Sequence, residues 1–221
     1  MAAPDVPEAA VSDAEAARFR ATGVLHKPRF FTGEEAAAMR RCVETLQRRG
    51  LMGNILRDAQ TENLQMAWLS HHSRLFQVLP WEGRVAAALR RLLPSDDVDA
   101  GVEVHYDQLF LKPAVTGAGT AWHADQAYFK LRRPERGVAL WIALPNSTVA
   151  NGTLHTAPWR EGQPDLAHRQ DPEQHGHELT LDGEAIPLSS ATPAELPPGG
   201  VCFFGYGVPH CTLPNPTANP R

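Results

Sequence analysis

The first half of the chain carries apolar positions with helical spacing behind two capping signals. Residues 12–15, Ser-Asp-Ala-Glu, form a capping-box pattern and predict a short helix that Gly23 ends. Residues 32–35, Thr-Gly-Glu-Glu, repeat that signal, and Gly50 provides the next terminator. Between them the apolar positions recur three or four residues apart, at Ala36, Met39, Val43 and Leu46. This spacing predicts an amphipathic helix packed against a core.

A third helix is predicted from Trp81 to about Leu93, where Pro94 stops it. Residues 51–80, between the second and third helices, carry no pattern that assigns an element. The first hundred residues are therefore expected to form a mainly helical layer.

The pattern changes near residue 101 to short runs of β-formers separated by turn residues. Residues 102–112 alternate, which places Val102, Val104, Tyr106, Gln108 and Phe110 on one face of a predicted strand that Pro113 ends. Further strands are predicted at 138–144, 153–156, 178–181 and 201–206, the second of them after an Asn151-Gly152 turn.

These strands predict a mainly β fold, an antiparallel double-sheet jelly roll (double-stranded β-helix, cupin-like) with N-terminal helices packed on the sheet. We expect one domain over 1–221, with the helical layer at 1–100 and the jelly-roll core at 101–221. Residues 158–200 are long and weakly periodic, which is typical of a functional lid or a mobile insertion.

Composition narrows the function to small-molecule chemistry. A length of 221 residues suits one elaborated domain, and a net charge of −4 without a long basic run argues against nucleic acid or an anionic membrane as the main partner. Three cysteines without Cys-x-x-Cys spacing fit a reducing compartment. The N-terminus lacks the apolar segment of a signal peptide, so we expect a cytoplasmic protein.

The candidate chemistry begins with His123 and Asp125. Two residues apart on an extended segment, an imidazole and a carboxylate point to the same side and can hold one metal ion. His210, which follows an apolar run, is the candidate third ligand. Two histidines and one carboxylate leave open positions on the metal, as in non-haem iron(II) oxygenases. The alternative is two structural histidines and a turn aspartate.

Downstream residues favour the metal hypothesis. Thr212 and Arg221 follow His210 closely, and an arginine fork near a metal can bind one end of a dicarboxylate through two charge-assisted hydrogen bonds.

Together these motifs resemble the phytanoyl-CoA dioxygenase family of iron(II)- and 2-oxoglutarate-dependent oxygenases. The resemblance runs from about Gln108 to Arg221, and more loosely over the N-terminal helices. It is carried by residues 123–129 (His-Ala-Asp-Gln-Ala-Tyr-Phe), the Trp141 strand, residues 151–154 (Asn-Gly-Thr-Leu) and the set His210, Thr212 and Arg221.

The resemblance implies His123, Asp125 and His210 as iron ligands. It implies contacts to 2-oxoglutarate from Arg221, Thr212, Trp141 and Gln108. The implied reaction uses O2 to convert 2-oxoglutarate to succinate and CO2 and to hydroxylate an unactivated carbon of a small molecule. Related halogenases carry a small residue in place of the carboxylate, so Asp125 implies hydroxylation or a related oxidation.

Two departures from the family pattern stand out. The family usually shows Pro-Gly-Ser-His after the Asn-Gly turn, where residues 158–161 are Pro-Trp-Arg-Glu. The chain also ends at Arg221, where the family continues into a last core strand, and we expect a truncated form lacking that strand.

Alternatives remain open at this point. One is a catalytically silent, cupin-like protein that binds metal and 2-oxoglutarate without turnover, and another is a zinc hydrolase using the same three ligands. The substrate is an acyl-CoA, an amino acid or a natural-product intermediate, and Arg132, Arg133 and Arg136 either meet an anionic group or form a solvated turn. His168, His175 and His177 have spacings that suit a second metal, although a solvated loop is the simpler interpretation.

Tyr106 and Tyr128 are predicted pocket-wall residues.

Overall fold

The fold is known from a computed structural model, which describes residues 8–54, 62–93, 102–159, 166–170, 179–181 and 186–221. The helices of this part of the chain are α1 (Asp13–Thr22), α2 (Gly33–Arg48), α3 (Arg74–Val78), α4 (Gly83–Leu92) and α5 (Gln126–Phe129). Its strands are β1 (Val24–Lys27), β2 (Gly53–Asn54), β3 (Leu64–Ala67), β4 (Gln108–Leu111), β5 (Thr120–His123), β6 (Val138–Ile142), β7 (Leu154–Thr156), β8 (His168–Gln170), β9 (Leu179–Leu181), β10 (Thr192–Pro193), β11 (Val201–Gly205) and β12 (His210–Thr212).

The three predicted helices are confirmed, with their caps. The Ser12 hydroxyl accepts from the Glu15 amide, while the Glu15 carboxylate accepts from the Ser12 amide. Gly23, with φ +73°, ends α1. Thr32 caps α2 in the same way, and all four predicted apolar positions of this helix are buried. The third predicted helix is α4; Pro94 lies outside the described residues.

The strands form two facing antiparallel sheets, a smaller sheet and a separate hairpin. The first sheet has the order β1-β11-β6, the second β10-β7-β12-β5, and the smaller one β2-β3-β4, while β8 pairs with β9. All five residues of β11 are buried. Val201 and Phe203 pack with the helices, whereas Cys202 and Phe204 pack towards the second sheet. The first sheet is therefore the middle of three layers.

The N-terminal hundred residues are less purely helical than the sequence pattern predicts. They contribute β1, which pairs with β11, and β3, which pairs with β4. The first hundred residues thus supply strands to two of the sheets as well as four of the helices. Among the described residues, no helix combines the length and the apolar character needed to cross a bilayer.

The predicted strand at 102–112 is wrong over its first half. Only Gln108–Leu111 forms a strand, because its partner β3 ends at Ala67. Trp68 then adopts a left-handed conformation with φ +56°, and its amide donates to the Asp107 carbonyl at 2.7 Å. Within the described parts of the chain, residues 102–107 therefore have no strand beside them to complete a ladder, although all six of them line a cavity.

Predicted turns and later strands agree with the structure. Gly152 follows a short 3-10 turn with φ +79°, and β7 begins two residues later. The strand predicted at 178–181 corresponds to β9, with Glu178 outside the described residues. The strands predicted at 138–144 and 201–206 are β6 and β11.

Gly152 packs closely against the backbone of Leu213 and Pro214, and a substitution there tests this contact. A Cβ at Gly152 would lie 2.3 Å from the Leu213 carbonyl oxygen, so Gly152→Ala adds a backbone clash to the strain of a positive φ. We expect unfolding free energy to fall by about 3 kcal/mol or more, measured by urea denaturation. Gly50→Ala is the matched control, since Gly50 has φ +71° with nothing within 4 Å of the added Cβ. It should lose only about 1 kcal/mol, and equal losses in both variants would contradict the packing.

Candidate metal and cosubstrate site

A cavity of about 830 Å³ opens between the helical layer and the sheets. Its walls include all seven residues predicted from the sequence: Gln108, His123, Asp125, Trp141, His210, Thr212 and Arg221. The fold thus brings together residues separated by up to 113 positions along the chain, from Gln108 to Arg221 (221 − 108 = 113).

His123 and His210 meet because they are partners across the β5–β12 ladder. Their ring centroids lie 4.2 Å apart. The Nδ1 of His123 is 2.9 Å from the Ala121 carbonyl, and the Nδ1 of His210 is 2.9 Å from the Val208 carbonyl. Since a carbonyl only accepts, each Nδ1 carries the proton, and each Nε2 presents a lone pair. This arrangement fixes the tautomer of metal-ligating histidines.

Asp125 lies close to the two histidines, but its backbone conformation differs from the prediction. Strand β5 ends at His123, and Asp125 has helical backbone angles (φ −56°, ψ −32°) just before α5. The prediction that Asp125 lies on an extended segment is therefore wrong. A turn brings its carboxylate towards the two histidines instead. The carboxylate makes no capping bond to α5, and its Oδ1 lies 3.7 Å from the His210 Nε2.

The three side chains form a ready donor set for one cation. One ligand atom from each of His123, Asp125 and His210 lies within 4.8 Å of the others. Burial raises the pKa of Asp125 to about 7 and lowers that of His123 well below its usual value, an effect to which His210 adds. A largely buried carboxylate close to two histidine side chains suits a divalent metal, which would supply positive charge.

Arg221 is held in the cavity by both its backbone and its side chain. Its amide donates to the Lys112 carbonyl at 2.9 Å, and its carbonyl accepts from the Lys112 amide at 2.6 Å. The Nε donates to the Asn151 carbonyl at 3.1 Å, and the guanidinium carbon lies 5.8 Å from the centre of the Trp141 ring. Burial lowers the pKa of Arg221 to about 10.

Lys112 is a site residue that the sequence patterns missed. It is only 1% exposed, and its Nζ donates to the Ala118 carbonyl. Burial, together with the charge of Arg221, lowers its pKa to about 7. In the described parts of the chain, neither Lys112 nor Arg221 pairs with an Asp or Glu side chain. Two neighbouring basic side chains suit a carboxylate ligand, whose negative charge would favour the protonated form of Lys112. One sequence feature could have identified Lys112, because it is a lysine at the end of the strand predicted at 102–112, close to a candidate site.

Thr212 and Gln108 occupy different environments. The Thr212 hydroxyl accepts from the Thr120 amide at 3.1 Å, which leaves its proton for another acceptor. Gln108 is exposed, and its Oε1 accepts from Gln65 Nε2 at 2.6 Å. Thr212 is thus oriented by the β5–β12 ladder, whereas Gln108 belongs to the rim formed by β3 and β4.

A hairpin from the long 158–200 segment contacts the histidine–aspartate motif. The His168 Nε2 accepts from the amide of Ala124, between the two predicted ligands, at 3.0 Å, and its Nδ1 lies 2.7 Å from the Leu166 carbonyl. His168 thus contacts the backbone of the motif, and among the described residues it belongs to no group of potential metal ligands. His175 and His177 lie outside the described residues.

Tyr128 binds the other strand of this hairpin, β9, through two hydrogen bonds. Its hydroxyl donates to the Leu179 carbonyl at 3.1 Å and accepts from the Leu179 amide at 3.0 Å. Tyr106 lines the cavity as predicted, while Tyr128 contacts the hairpin and is absent from the described cavity wall.

Tyr128→Phe should loosen the hairpin. Two hydrogen bonds of about 0.5–1.5 kcal/mol each are lost, so we expect Leu179 amide exchange to accelerate about tenfold or more by hydrogen–deuterium exchange mass spectrometry. Tyr106→Phe, which removes a hydroxyl elsewhere in the site, should leave that exchange unchanged. Equal protection in wild type and Tyr128→Phe would show that Tyr128 does not hold the hairpin.

Comparison with known proteins places the chain in a family. Residues 19–221 match the family model for phytanoyl-CoA dioxygenase (PhyH). The chain belongs to the phytanoyl-CoA dioxygenase family. The match begins within α1 and extends to Arg221, so it includes the N-terminal helices as well as all seven predicted site residues. No curated protein matches the sequence significantly.

Solved structures share the fold of this phytanoyl-CoA dioxygenase family member. The non-heme alpha-ketoglutarate-dependent carbocyclase SnoK from nogalamycin biosynthesis is 17% identical, with 96% of this chain and 81% of that chain covered and a TM-score of 0.75. EvdO2 from Micromonospora carbonacea var. aurantiaca, complexed with 2-oxoglutarate, is 24% identical over 96% and 87% of the two chains, with a TM-score of 0.71. EctD from S. alaskensis, with 2-oxoglutarate and 5-hydroxyectoine, is 20% identical over 100% and 76%, with a TM-score of 0.72.

Proposed function

We propose that the protein is an Fe(II)- and 2-oxoglutarate-dependent dioxygenase that hydroxylates an unactivated carbon of a small molecule and releases succinate and CO2. The observation that carries this proposal is the convergence of His123, Asp125 and His210 in one cavity with Arg221. Family membership and the 2-oxoglutarate bound in EvdO2 and EctD support it, as does a further EctD structure with bound Fe.

The donor set fits iron. His123, Asp125 and His210 would supply two nitrogen ligands and one oxygen ligand on one side of the ion, which leaves positions for 2-oxoglutarate and O2. Bound iron supplies the activation of oxygen that no protein side chain can perform. The carbonyl groups of Ala121 and Val208 hold the two imidazoles in the ligating tautomer.

Arg221 and Lys112 fit the distal carboxylate of 2-oxoglutarate. The Arg221 fork would bind it through charge-assisted hydrogen bonds, and the Thr212 hydroxyl would donate to the same group. The indole of Trp141 lies beside the guanidinium and closes one side of this pocket. Gln108 is assigned to the rim of the cosubstrate site.

This pair of buried cations also favours an oxygenase over a zinc hydrolase. A zinc-bound water needs a substrate carbonyl and a proton acceptor, but no dicarboxylate pocket beside the metal. The presence of Asp125 favours hydroxylation over halogenation, because its carboxylate would take the coordination position that a halide needs.

A second part of the proposal concerns the fold. We propose that the two facing antiparallel sheets are a jelly roll of the cupin type, within a single oxygenase domain over 1–221. A cytoplasmic location stays a prediction.

The test of this function is turnover of 2-oxoglutarate. Protein supplied with Fe(II), O2, ascorbate and a broad substrate panel should form succinate, and the formation should stop without iron or without oxygen. Binding of metal and 2-oxoglutarate without succinate formation would instead identify a catalytically silent binding protein. Activity retained with zinc and without 2-oxoglutarate would identify a hydrolase.

A further inference from the structure

The outer part of the cavity has an aromatic wall formed by His105, Tyr106, Phe129 and Tyr206. The ring centroids of Phe129 lie 5.0 Å from His105, 5.7 Å from Tyr106 and 5.1 Å from Tyr206. Phe129 thus contacts the other three rings, in tilted or edge-to-face arrangements, and all four rings line the cavity.

This aromatic wall stands directly beside the metal ligands. Phe129 ends α5, the single helical turn that follows Asp125. The Tyr206 carbonyl accepts from the Gln126 amide at 2.8 Å, so Tyr206 is fixed to the same turn. A molecule lying on the wall would therefore reach the open side of the three ligands.

A further part of the cavity lining is aliphatic. Helix α2 contributes Met39 and Val43, and helix α4 contributes Val85 and Leu89. These side chains offer neither hydrogen bonds nor charge, so they stabilise bound apolar surface.

Charge along the cavity argues against a polyanionic substrate. Three of its described lining residues are arginine or lysine: Arg40, Lys112 and Arg221. Arg40 is paired with Glu44 at 2.9 Å, and the other two belong to the cosubstrate pocket. The arginines at 132, 133 and 136 are outside the described lining. Among the described lining residues, a coenzyme A thioester, with its several phosphate charges, would therefore find no further arginine or lysine to bind them.

We propose that the substrate is a mainly apolar molecule without anionic groups that carries a ring system and lies against the aromatic wall. This substrate class rests on the proposed oxygenase function, and it replaces the acyl-CoA and amino-acid alternatives. The ring would pack in offset or edge-to-face geometry against Phe129 and Tyr106.

Two probes with the same ring framework test this assignment without turnover. N-phenyl-1-naphthylamine is uncharged, whereas 8-anilino-1-naphthalenesulfonate adds one negative charge. Binding of each is followed by fluorescence in anaerobic protein loaded with Fe(II) and 2-oxoglutarate, with decanoyl-CoA as a competitor. Because no reaction is needed, an absence of succinate formation would not affect the result, and succinate is assayed separately.

We expect the uncharged probe to bind more tightly than the sulfonate and to resist displacement by decanoyl-CoA. Phe129→Leu and Tyr106→Leu keep an apolar side chain but remove the ring, so each should weaken the uncharged probe about tenfold. Leu188→Ala, at an exposed position outside the described cavity lining, should change nothing. Tighter binding of the sulfonate or of decanoyl-CoA, or unchanged affinity in both leucine variants, would overturn the proposal.

Discussion

His210→Ala should lower iron(II) affinity at least about 100-fold and remove 2-oxoglutarate turnover. Loss of a residue that merely orients a metal ligand costs about 10- to 100-fold in affinity, and His210 is itself a proposed ligand 3.7 Å from the Asp125 carboxylate. Its removal leaves two donors, too few to hold the metal in a defined geometry. The affinity is measured by anaerobic titration, and turnover by succinate formation.

His155→Ala is the matched control for this variant. His155 is also buried, and it lies opposite Cys211 on the β7–β12 ladder, so its side chain leaves the sheet on the other face from His210. Its loss should lower stability while iron binding persists. Circular dichroism checks folding, and His210→Gln provides a second variant of similar size. If either His210 variant folds and still binds iron like wild type, the ligand assignment is wrong.

Arg221→Ala should raise the KM for 2-oxoglutarate about 100-fold or more while leaving iron affinity nearly unchanged. Hydrogen bonds to charged groups contribute about 1.5–3 kcal/mol each, and the proposed fork makes two of them. Arg221→Lys keeps the charge but loses the fork, so its KM should fall between those of wild type and the alanine variant.

The informative part of this result is that the KM for 2-oxoglutarate rises while the iron affinity stays nearly unchanged. Arg90→Ala, which removes an exposed arginine from α4, controls for a general change in charge. A parallel loss of iron affinity in Arg221→Ala would indicate collapse of the cavity rather than loss of a cosubstrate contact. An unchanged KM would place the 2-oxoglutarate carboxylate elsewhere.

The elements predictable from sequence were those with local signals. The capping boxes at Ser12 and Thr32 fixed the starts of α1 and α2, and Asn151-Gly152 marked the turn before β7. Each signal lies within a few residues of the structure it specifies. The candidate metal ligands followed from another kind of signal, because few residue types bind metal and the joint spacing of His123, Asp125 and His210 with Thr212 and Arg221 resembles that of the family.

Elements that depend on distant partners were not predictable. The short strand β1 exists because β11 lies beside it, and the predicted strand at 102–107 fails because β3 ends at Ala67. The burial of Lys112 depends on the backbone pairing between Lys112 and Arg221, which are 109 residues apart (221 − 112 = 109). The turn that delivers Asp125 likewise follows from the end of β5, which the residue spacing did not reveal.

The most direct test of the account is the visible absorption of the anaerobic protein. Adding 2-oxoglutarate to the Fe(II)-loaded wild type should produce a metal-to-ligand charge-transfer band that saturates at one equivalent. The band should be absent from His210→Ala and should require far more 2-oxoglutarate in Arg221→Ala. Folded wild-type protein that binds Fe(II) and yet shows no such band at saturating 2-oxoglutarate would contradict the proposed site.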